Sequence, residues 1–406
     1  MKILLVSRGS QGDVYPYLAL ASELTALNHE ITISLPAVFE KEAKSFGLNY
    51  ALQGGDDIIG MVEHSTNTKD LLAWTQRVIH AQFDELIPLV KRYDIMVASN
   101  TEFAAPTIAE YCKKTLIRTA YAPLLPGRKL PPPVMPIQRN PLFTPSLQWK
   151  VLNIGLNLMV KKTLNAHRKQ LGMPPIGDQG EHAPAHARNY LMYSRFLGET
   201  DPDWAYDWSI GGYCFNDLMQ YDEVSYRKLL DFIQKDKKPA VFFTFGSCTS
   251  KNGDTFCEWL CDICAELDYK LIIGANWWKH GAQLQEKTHV FLLTTAVPHN
   301  LVFPLCGAII HHGGSGTTHS AGRAGKPQLI VPILLDQFYW GNRVYRLGVG
   351  PDSVNLAKIS RPALAVKVKD LVTNPEYQKN AAALGEQIRN EQGLKTLCEY
   401  IATAGS

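Results

Sequence analysis

Two short segments of this chain carry groups that could bind a phosphorylated sugar. Residues 311–318 read His-His-Gly-Gly-Ser-Gly-Thr-Thr and follow the apolar segment 307–310, which is compatible with a β-strand. The glycine-rich turn would open a helix whose first N–H groups and positive end face one point, where an anion is stabilised. Further along, Asp336 and Gln337 offer a carboxylate and an amide to sugar hydroxyls. The pattern predicts a pyrophosphate and sugar pocket, the site of a nucleotide sugar.

The length and composition of the chain indicate a globular protein of two domains. Its 406 residues exceed what one hydrophobic core usually serves. A hydrophobic content of 46%, a charged content of 19% and a formal net charge of +3 give no reason to expect nucleic acid as a partner. The first residues enter an apolar strand at once and lack the length of a signal peptide or membrane span, so we expect a cytoplasmic protein.

The eight cysteines show no paired spacing, so we expect reduced thiols rather than a disulfide framework. Cys257, Cys261 and Cys264 have the C-x3-C-x2-C spacing of radical-type iron–sulfur enzymes. The same spacing places the three sulfurs on one face of an amphipathic helix. The pattern favours a buried helix face over a metal cluster.

Two segments share one plan, which indicates two similar domains. A strand at residues 2–6 runs into a Gly-rich turn at 7–13, and a strand at 239–245 runs into a turn at 246–248. Alternating strand and helix patterns follow each, which predicts α/β architecture with two doubly wound, Rossmann-like domains. Neither turn has the G-x-G-x-x-G spacing of dinucleotide-binding proteins, so we expect no nicotinamide or flavin cofactor.

Proline content and apolar spacing mark two special segments in the first half. Residues 123–145 are rich in proline and cannot form a regular helix or central strand, whereas residues 147–171 have apolar residues at helical spacing. That helix is either ordinary core or one wall of a pocket for a lipophilic molecule, and the pattern favours core. We expect a first domain at residues 1–205, a second at 206–385 and a last helix at 386–406 that crosses back to the first.

Three segments together resemble the UDP-glycosyltransferase family, whose members have the two-domain GT-B fold. They are residues 9–16 (Gly-Ser-Gln-Gly-Asp-Val-Tyr-Pro), residues 311–318, and residues 332–344 (Pro-Ile-Leu-Leu-Asp-Gln-Phe-Tyr-Trp-Gly-Asn-Arg-Val). The likeness covers nearly the whole chain and is nearest to sterol glucosyltransferases and to bacterial enzymes that glycosylate antibiotic aglycones. It implies that the first domain binds the acceptor, that the second binds the nucleotide sugar, and that the reaction occurs in the cleft between them.

The resemblance implies that Asp13 is the catalytic base, with Ser10 as an assisting residue. The first Gly-rich turn would place the Asp13 carboxylate at the carboxyl end of the first strand, where it could take a proton from an acceptor hydroxyl. The alternative is a structural aspartate that caps a helix beginning near Val14. Plant-type members use a histidine in this loop, and this chain has none there.

The same resemblance implies the donor-binding residues. His312 and Thr317 would contact the diphosphate, while Trp277 and Val297 would border the base. Ser320 stands where plant-type members have an acidic residue for the ribose, so the choice between UDP and TDP stays open. The implied donor-binding set is Gly12, Ser247, Trp277, Val297, His312, Gly314, Ser315, Gly316, Thr317, Asp336 and Gln337.

We expect neither a metal ion nor another cofactor, because protein groups would hold the diphosphate. The segment Asp201-Pro202-Asp203 matches the D-x-D motif with which glycosyltransferases of the GT-A fold bind a divalent ion. It falls in the expected linker between the domains, where two acids are usually solvated turn residues.

The sequence therefore predicts an inverting glycosyltransferase that moves a hexose, by expectation glucose, from a UDP-sugar to a hydroxyl of a lipophilic acceptor such as a sterol or polyketide. The alternatives are an enzyme acting on a lipid-linked sugar, a sugar-nucleotide epimerase, and a non-catalytic protein that binds nucleotide sugars. A hydrolase using Ser10 or Ser247 lacks the G-x-S-x-G elbow. We expect a monomer or homodimer, with peripheral membrane contact as a further expectation.

Overall fold

The first half of the chain forms a parallel sheet. The computed structural model describes residues 1–54, 68–139, 142–246 and 253–405. Within these ranges the first sheet has seven strands in the order β3-β2-β1-β4-β5-β6-β7, and all neighbours are parallel. The strands are β1 Lys2–Val6, β2 Glu30–Pro36, β3 Asn49–Gln53, β4 Ile95–Ser99, β5 Thr115–Ala120, β6 Arg188–Leu191 and β7 Trp208–Ile210. The central strands are buried, as expected for a parallel sheet that is covered on both faces.

Helices cover both faces of this sheet. They are α1 Gln11–Ala26, α2 Glu40–Ser45, α3 Thr68–Val90, α4 Ala105–Cys112, α5 Pro145–Gln170 and α6 Gln179–Ala185, with a 3-10 turn at Ala37–Phe39. One apolar cluster contains α1, and a second contains α3, α4 and α5. The helix expected at residues 147–171 is α5, whose Val160 and Leu164 are fully buried as ordinary core. Among the described residues, no helix combines the length and apolar composition needed to cross a bilayer.

The second half repeats the architecture with a smaller sheet. Its strand order is β10-β9-β8-β11-β12, again parallel throughout. The strands are β8 Ala240–Thr244, β9 Lys270–Ile273, β10 Val290–Leu292, β11 Ala308–His311 and β12 Gln328–Ile330. The helices are α7 Glu223–Gln234, α8 Gly253–Glu266, α9 His299–Val302, α10 Ser315–Arg323, α11 Gln337–Arg346, α12 Arg361–Thr373 and α13 Pro375–Arg389, with 3-10 turns at Ala275–Leu284 and Phe303–Leu305. The predicted pair of doubly wound, Rossmann-like domains is confirmed.

The three closely spaced cysteines lie in the core of the second half. Cys257, Cys261 and Cys264 are free thiols, and all three are buried in the apolar cluster that α8 forms against its sheet. Burial raises the pKa of Cys257 to about 12, so this sulfur is a neutral thiol. The interpretation as a buried helix face is confirmed.

The last helix returns to the first half. α13 ends at Arg389, and α14, Gly393–Ala404, follows after a short break. Leu397 and Ile401 of α14 are fully buried in the same apolar cluster as α1. This crossing agrees with the fold expected from the sequence.

The chain passes between the halves twice, and the two passages touch. The first passage begins after β7. Because β7 pairs with β6, the first sheet extends beyond the expected domain end at residue 205. The second lies between α13 and α14. A Cβ placed on Gly212 would lie 3.2 Å from the Cβ of Glu391 and 3.2 Å from the Cα of Gly393. The two passages therefore run side by side, and glycine at residue 212 permits this close approach.

The strand order places the Gly-rich turns where ligands bind in this type of fold. In each sheet the order reverses beside the first strand of that half: β1 lies between β2 and β4, and β8 lies between β9 and β11. A crevice opens at the carboxyl ends of the strands at such a point. The turns that follow β1, β8 and β11 all lie at these edges.

Asp201 anchors the proline-rich loop between β5 and α5. This carboxylate is fully buried and accepts the backbone N–H groups of Arg128 at 3.0 Å, Lys129 at 2.8 Å and Asp203 at 2.9 Å. Burial alone would raise the pKa of Asp201, but these hydrogen bonds together lower it below its ordinary value. Because both carboxylate oxygens are occupied by backbone donors, Asp201 has a structural role, and the D-x-D interpretation does not fit.

We predict that Asp201→Asn destabilises the fold, because the new amide group would face backbone N–H donors. The free energy of unfolding should fall by about 1–3 kcal/mol in a denaturant titration. Asp203→Asn is the matched control, since the Asp203 side chain is 50% exposed. That change should stay within about 0.5 kcal/mol. Equal losses in both variants would contradict the anchoring role of Asp201.

Candidate active site

A cavity of about 380 Å³ lies between the two halves, at the carboxyl ends of their strands. The first half contributes the turn after β1 and Tyr121, which follows β5. The second half contributes the segments that follow β8, β10, β11 and β12, and the first passage between the halves closes one side. The volume falls in the range of small-molecule sites.

Most of the residues singled out from the sequence line this one cavity. Ser10, Gly12 and Asp13 come from the first half, and the other residues come from the second half. The lining members are Ser10, Gly12, Asp13, Val297, His312, Gly314, Ser315, Gly316, Thr317, Asp336 and Gln337.

One of the expected donor residues lies away from the cavity wall. Trp277 is 1% exposed and packs edge-on against Phe243 and Phe245 in the core of the second sheet. The prediction that Trp277 borders the base is therefore wrong: the 3-10 turn after β9 directs this ring inward, where it buries its large apolar surface. Ser247 lies outside the described residues.

Asp13 belongs to the first turn of α1. The helix begins at Gln11 rather than near Val14, and Ser10 is its N-cap residue. The Asp13 Oδ2 atom accepts the backbone N–H of Ser10 at 2.8 Å and its hydroxyl at 3.2 Å. The side chain thus closes a capping box and also faces the cavity. The two interpretations of Asp13, as a helix-capping residue and as a cleft carboxylate, describe the same conformation.

Burial raises the pKa of Asp13 to about 6, although the hydrogen bonds from Ser10 oppose this rise. A carboxylate with this pKa is largely ionised at neutral pH and is a stronger proton acceptor than an ordinary aspartate. Gly9 makes the arrangement possible: it has φ +136°, and a Cβ there would collide with the Asp13 carboxylate.

His312 lies on the opposite wall, beside the start of α10. Burial, with a smaller contribution from the neighbouring His299, lowers the pKa of His312 to about 4, so its imidazole is neutral at physiological pH. Its Nδ1 atom is buried and has no hydrogen-bond partner among the described residues. A Cβ on Gly246 would lie 3.1 Å from the His312 ring, so a side chain there would crowd the imidazole.

The N-terminus of α10 supplies the positive end of this wall. Gly314 is the N-cap residue, and Ser315, Gly316 and Thr317 form the first turn. The first N–H groups of a helix have no acceptor within the helix, and they point along its axis toward any anion placed there. A backbone anion site and a neutral imidazole therefore lie side by side.

Two further histidines have structural roles. His311 is fully buried behind the turn, where its Nε2–H donates to Gln328 Oε1 at 2.9 Å and its Nδ1 accepts from Gly313 N–H at 3.1 Å. His319, which the sequence reasoning missed, donates from Nδ1 to the Ser315 carbonyl at 2.7 Å and accepts the Ser194 N–H at Nε2 at 3.0 Å. The second contact joins α10 to the first half.

Asp336 and Gln337 lie at the start of α11. Asp336 is the N-cap residue but makes no side-chain capping bond; its Oδ2 atom accepts Trp340 Nε1–H at 3.0 Å instead. Burial, together with the nearby charge of Asp13, raises the pKa of Asp336 to about 7. Gln337 Oε1 accepts the backbone N–H groups of Ile333 and Leu334 at 2.7 and 3.0 Å. Gln337 therefore holds the loop in shape, while Asp336 presents its carboxyl group to the cavity.

Apolar side chains that the sequence reasoning did not assign cover much of the remaining wall. They come from α1, from the end of β5, from the first passage and from the loop after β12. The set comprises Tyr15, Pro16, Tyr121, Tyr213, Phe215, Met219, Leu334 and Leu335. Arg323 brings a guanidinium to the wall, where it is paired with both carboxylate oxygens of Asp217, at 2.8 and 2.6 Å.

The metal-ligating side chains that come together within the described ranges are Glu110, His182 and His186. None of them lines the cavity. Both oxygens of Glu110 accept from Arg168, at 2.7 and 3.2 Å, and the guanidinium charge opposes a bound cation.

Two family models match the chain, one in each half. The glycosyltransferase family 28 N-terminal domain matches residues 3–106, and the erythromycin biosynthesis protein CIII-like C-terminal domain matches residues 258–393. The first half thus matches a glycosyltransferase family model, and the whole chain has the fold of the GT-B glycosyltransferases. A solved member, the glycotransferase of kitacinnamycin, superposes with a TM-score of 0.74 at 18% identity and covers 99% of this chain and 98% of its own.

Relatives of two kinds illustrate what the chain is similar to. A sterol 3-beta-glucosyltransferase of Arabidopsis thaliana is 24% identical over 97% of the chain, and O-mycaminosyltylonolide 6-deoxyallosyltransferase of Streptomyces fradiae is 26% identical over 99%. The sterol enzymes are longer: the chain spans 66% of the Arabidopsis protein and 34% of that of Komagataella phaffii. It spans 97% of the Streptomyces protein.

Proposed function

We propose that this protein is an inverting glycosyltransferase that moves a hexose from UDP-sugar or TDP-sugar to a hydroxyl of a lipophilic acceptor. The observation that carries the proposal is the arrangement in one cavity of a carboxylate with a raised pKa, Asp13, opposite an anion site formed by His312 and the start of α10. A base and a leaving-group site facing one another are what a single in-line displacement needs.

In the proposed reaction Asp13 accepts the proton of the acceptor hydroxyl as its oxygen attacks the anomeric carbon of the sugar. The bond from that carbon to the diphosphate breaks, and the configuration inverts. Negative charge grows on the departing diphosphate, where the N–H groups of α10, Thr317 and the neutral His312 stabilise it. Asp336 lines the same cavity, near enough to Asp13 for the two charges to interact, and it would bind sugar hydroxyls.

The acceptor side of the cavity supports a lipophilic substrate. Tyr15, Phe215 and Met219 present apolar surface to the cavity, and no described residue of its wall supplies an unpaired cation for a charged acceptor. A sterol, as in the names of the plant and yeast relatives, fits this chemistry, and the name of the Streptomyces relative gives O-mycaminosyltylonolide as a second type of acceptor. A non-catalytic binding protein is the alternative of another class, and a transfer assay separates it from an enzyme.

Asp13→Asn should lower kcat by about 10²–10⁴-fold, the usual contribution of a general base. In the wild-type protein kcat/KM should fall as the pH drops below about 6, because protonation of Asp13 removes the base. The residual kcat/KM of the Asp13→Asn variant should not show this decrease at acidic pH. Near-normal turnover by Asp13→Asn, measured by mass spectrometry of the product, would assign the base to another group.

His312→Ala should weaken the binding of free UDP or TDP and slow transfer together, because the imidazole contacts charge that grows during the reaction. Calorimetry measures the first effect and a transfer assay the second. Asp336→Asn is the matched comparison, and it should impair transfer from the nucleotide sugar. Its affinity for free nucleotide should stay within about twofold of the wild-type value, because free nucleotide has no sugar group for Asp336 to bind. Unchanged nucleotide affinity in His312→Ala would remove His312 from the donor site.

Transfer activity should survive dialysis against EDTA, because the proposed anion-stabilising groups belong to the protein. Equal rates before and after chelation are the expected result. A loss of activity that only Mg²⁺ or Mn²⁺ restores would contradict the metal-free mechanism.

A further inference from the structure

Helix α5 exposes a continuous apolar stripe. Leu147, Val151, Ile154 and Leu158 lie on its outer side, with 62% of Ile154 and 77% of Leu158 exposed. At 100° per residue these four side chains fall within about 60° of one another, and the stripe extends over roughly 16 Å of the helix. Leu142, just before the helix, is 86% exposed.

The stripe is not needed to hold α5 in place. The opposite face of the helix packs on the first half through Trp149, Val160 and Leu164, which are buried. The exposure of the stripe shows that no described part of the chain covers it. Large apolar side chains clustered on one exposed helix face are uncommon in a soluble protein and mark an interaction surface.

The charge of α5 indicates what covers the stripe. The helix carries Lys150, Lys161 and Lys162 beside the apolar side chains, and its sequence from 145 to 170 contains no aspartate or glutamate. Lys150 and Lys162 are exposed. A second copy of the chain would bring equal positive charges together, whereas an anionic lipid surface complements both the lysines and the apolar stripe.

We propose that α5 is a membrane-docking helix: its stripe enters the interfacial layer of a bilayer, and its lysines contact anionic headgroups. The helix then lies along the surface of the membrane and does not span it. This inference concerns the outer surface of the first half and does not depend on the proposed transfer reaction.

Flotation with lipid vesicles tests the proposal on the full chain. The probes are vesicles of phosphatidylcholine with phosphatidylglycerol and vesicles of phosphatidylcholine alone. The test variant is Ile154→Gln/Leu158→Gln. The matched control is Val224→Gln/Val366→Gln, which removes two apolar side chains of similar exposure, 61% and 69%, from α7 and α12 of the second half.

The wild-type chain and the control should float with the anionic vesicles, and the partition coefficient of the stripe variant should fall at least about tenfold. Lys150→Gln/Lys162→Gln should reduce binding to anionic vesicles by about fivefold for each lysine, with little effect on neutral vesicles. Melting temperatures establish that each variant is folded.

Three results would overturn the proposal. The first is no flotation of the wild-type chain, and the second is equal flotation of the wild-type chain and the stripe variant. The third is a wild-type dimer in analytical ultracentrifugation that the stripe variant converts to a monomer, which would assign the face to a second copy. Because none of these measurements involves sugar transfer, they remain informative even if the proposed reaction is wrong.

Discussion

The neutral imidazole of His319 joins the two halves of the chain beside the cavity. It is fully buried, it bonds to one backbone group in each half, and its ring stacks on Tyr213 at 4.5 Å between centroids. Burial lowers the pKa of His319 to about 3, so the two hydrogen bonds keep their direction at any physiological pH. The Ser315 hydroxyl adds a bond to the Tyr121 carbonyl at 3.0 Å. Since Ser315 begins α10, these contacts fix where the anion site lies relative to Asp13.

The electrostatics of the cavity follow from burial more than from charged side chains. Burial raises the pKa of the carboxyls of Asp13 and Asp336, and it lowers the pKa of the imidazole of His312. The wall therefore has few full charges of its own and relies on oriented N–H groups for an anion. In a site of low dielectric such dipoles act strongly and need no rearrangement when charge moves to the leaving group.

Local sequence patterns predicted the parts of the site that depend on local structure. Glycines after β1 and β11 predicted tight turns at strand ends, whereas the roles of His312 and Asp13 were implied by the resemblance to a known family. Trp277 was misassigned because a motif gives the position of a residue along the chain, whereas the packing of the 3-10 turn decides which way its ring points. His319 was missed because its partner, Ser194, lies 125 residues away in the chain. For α5, the apolar spacing identified the face that is buried. The helix also has a second apolar face of similar spacing, and only the position of the core shows which of the two faces is buried and which is exposed.

The contact between the two passages of the chain, at Gly212 and Gly393, keeps the halves together at one place. Two covalent tethers that meet there resist sliding and separation of the domains. Contacts between the halves elsewhere, such as those of His319 with Ser194 and of Tyr339 with Glu199, restrain rotation about that place. The alignment of the two cavity walls therefore depends on covalent connections and on hydrogen bonds together.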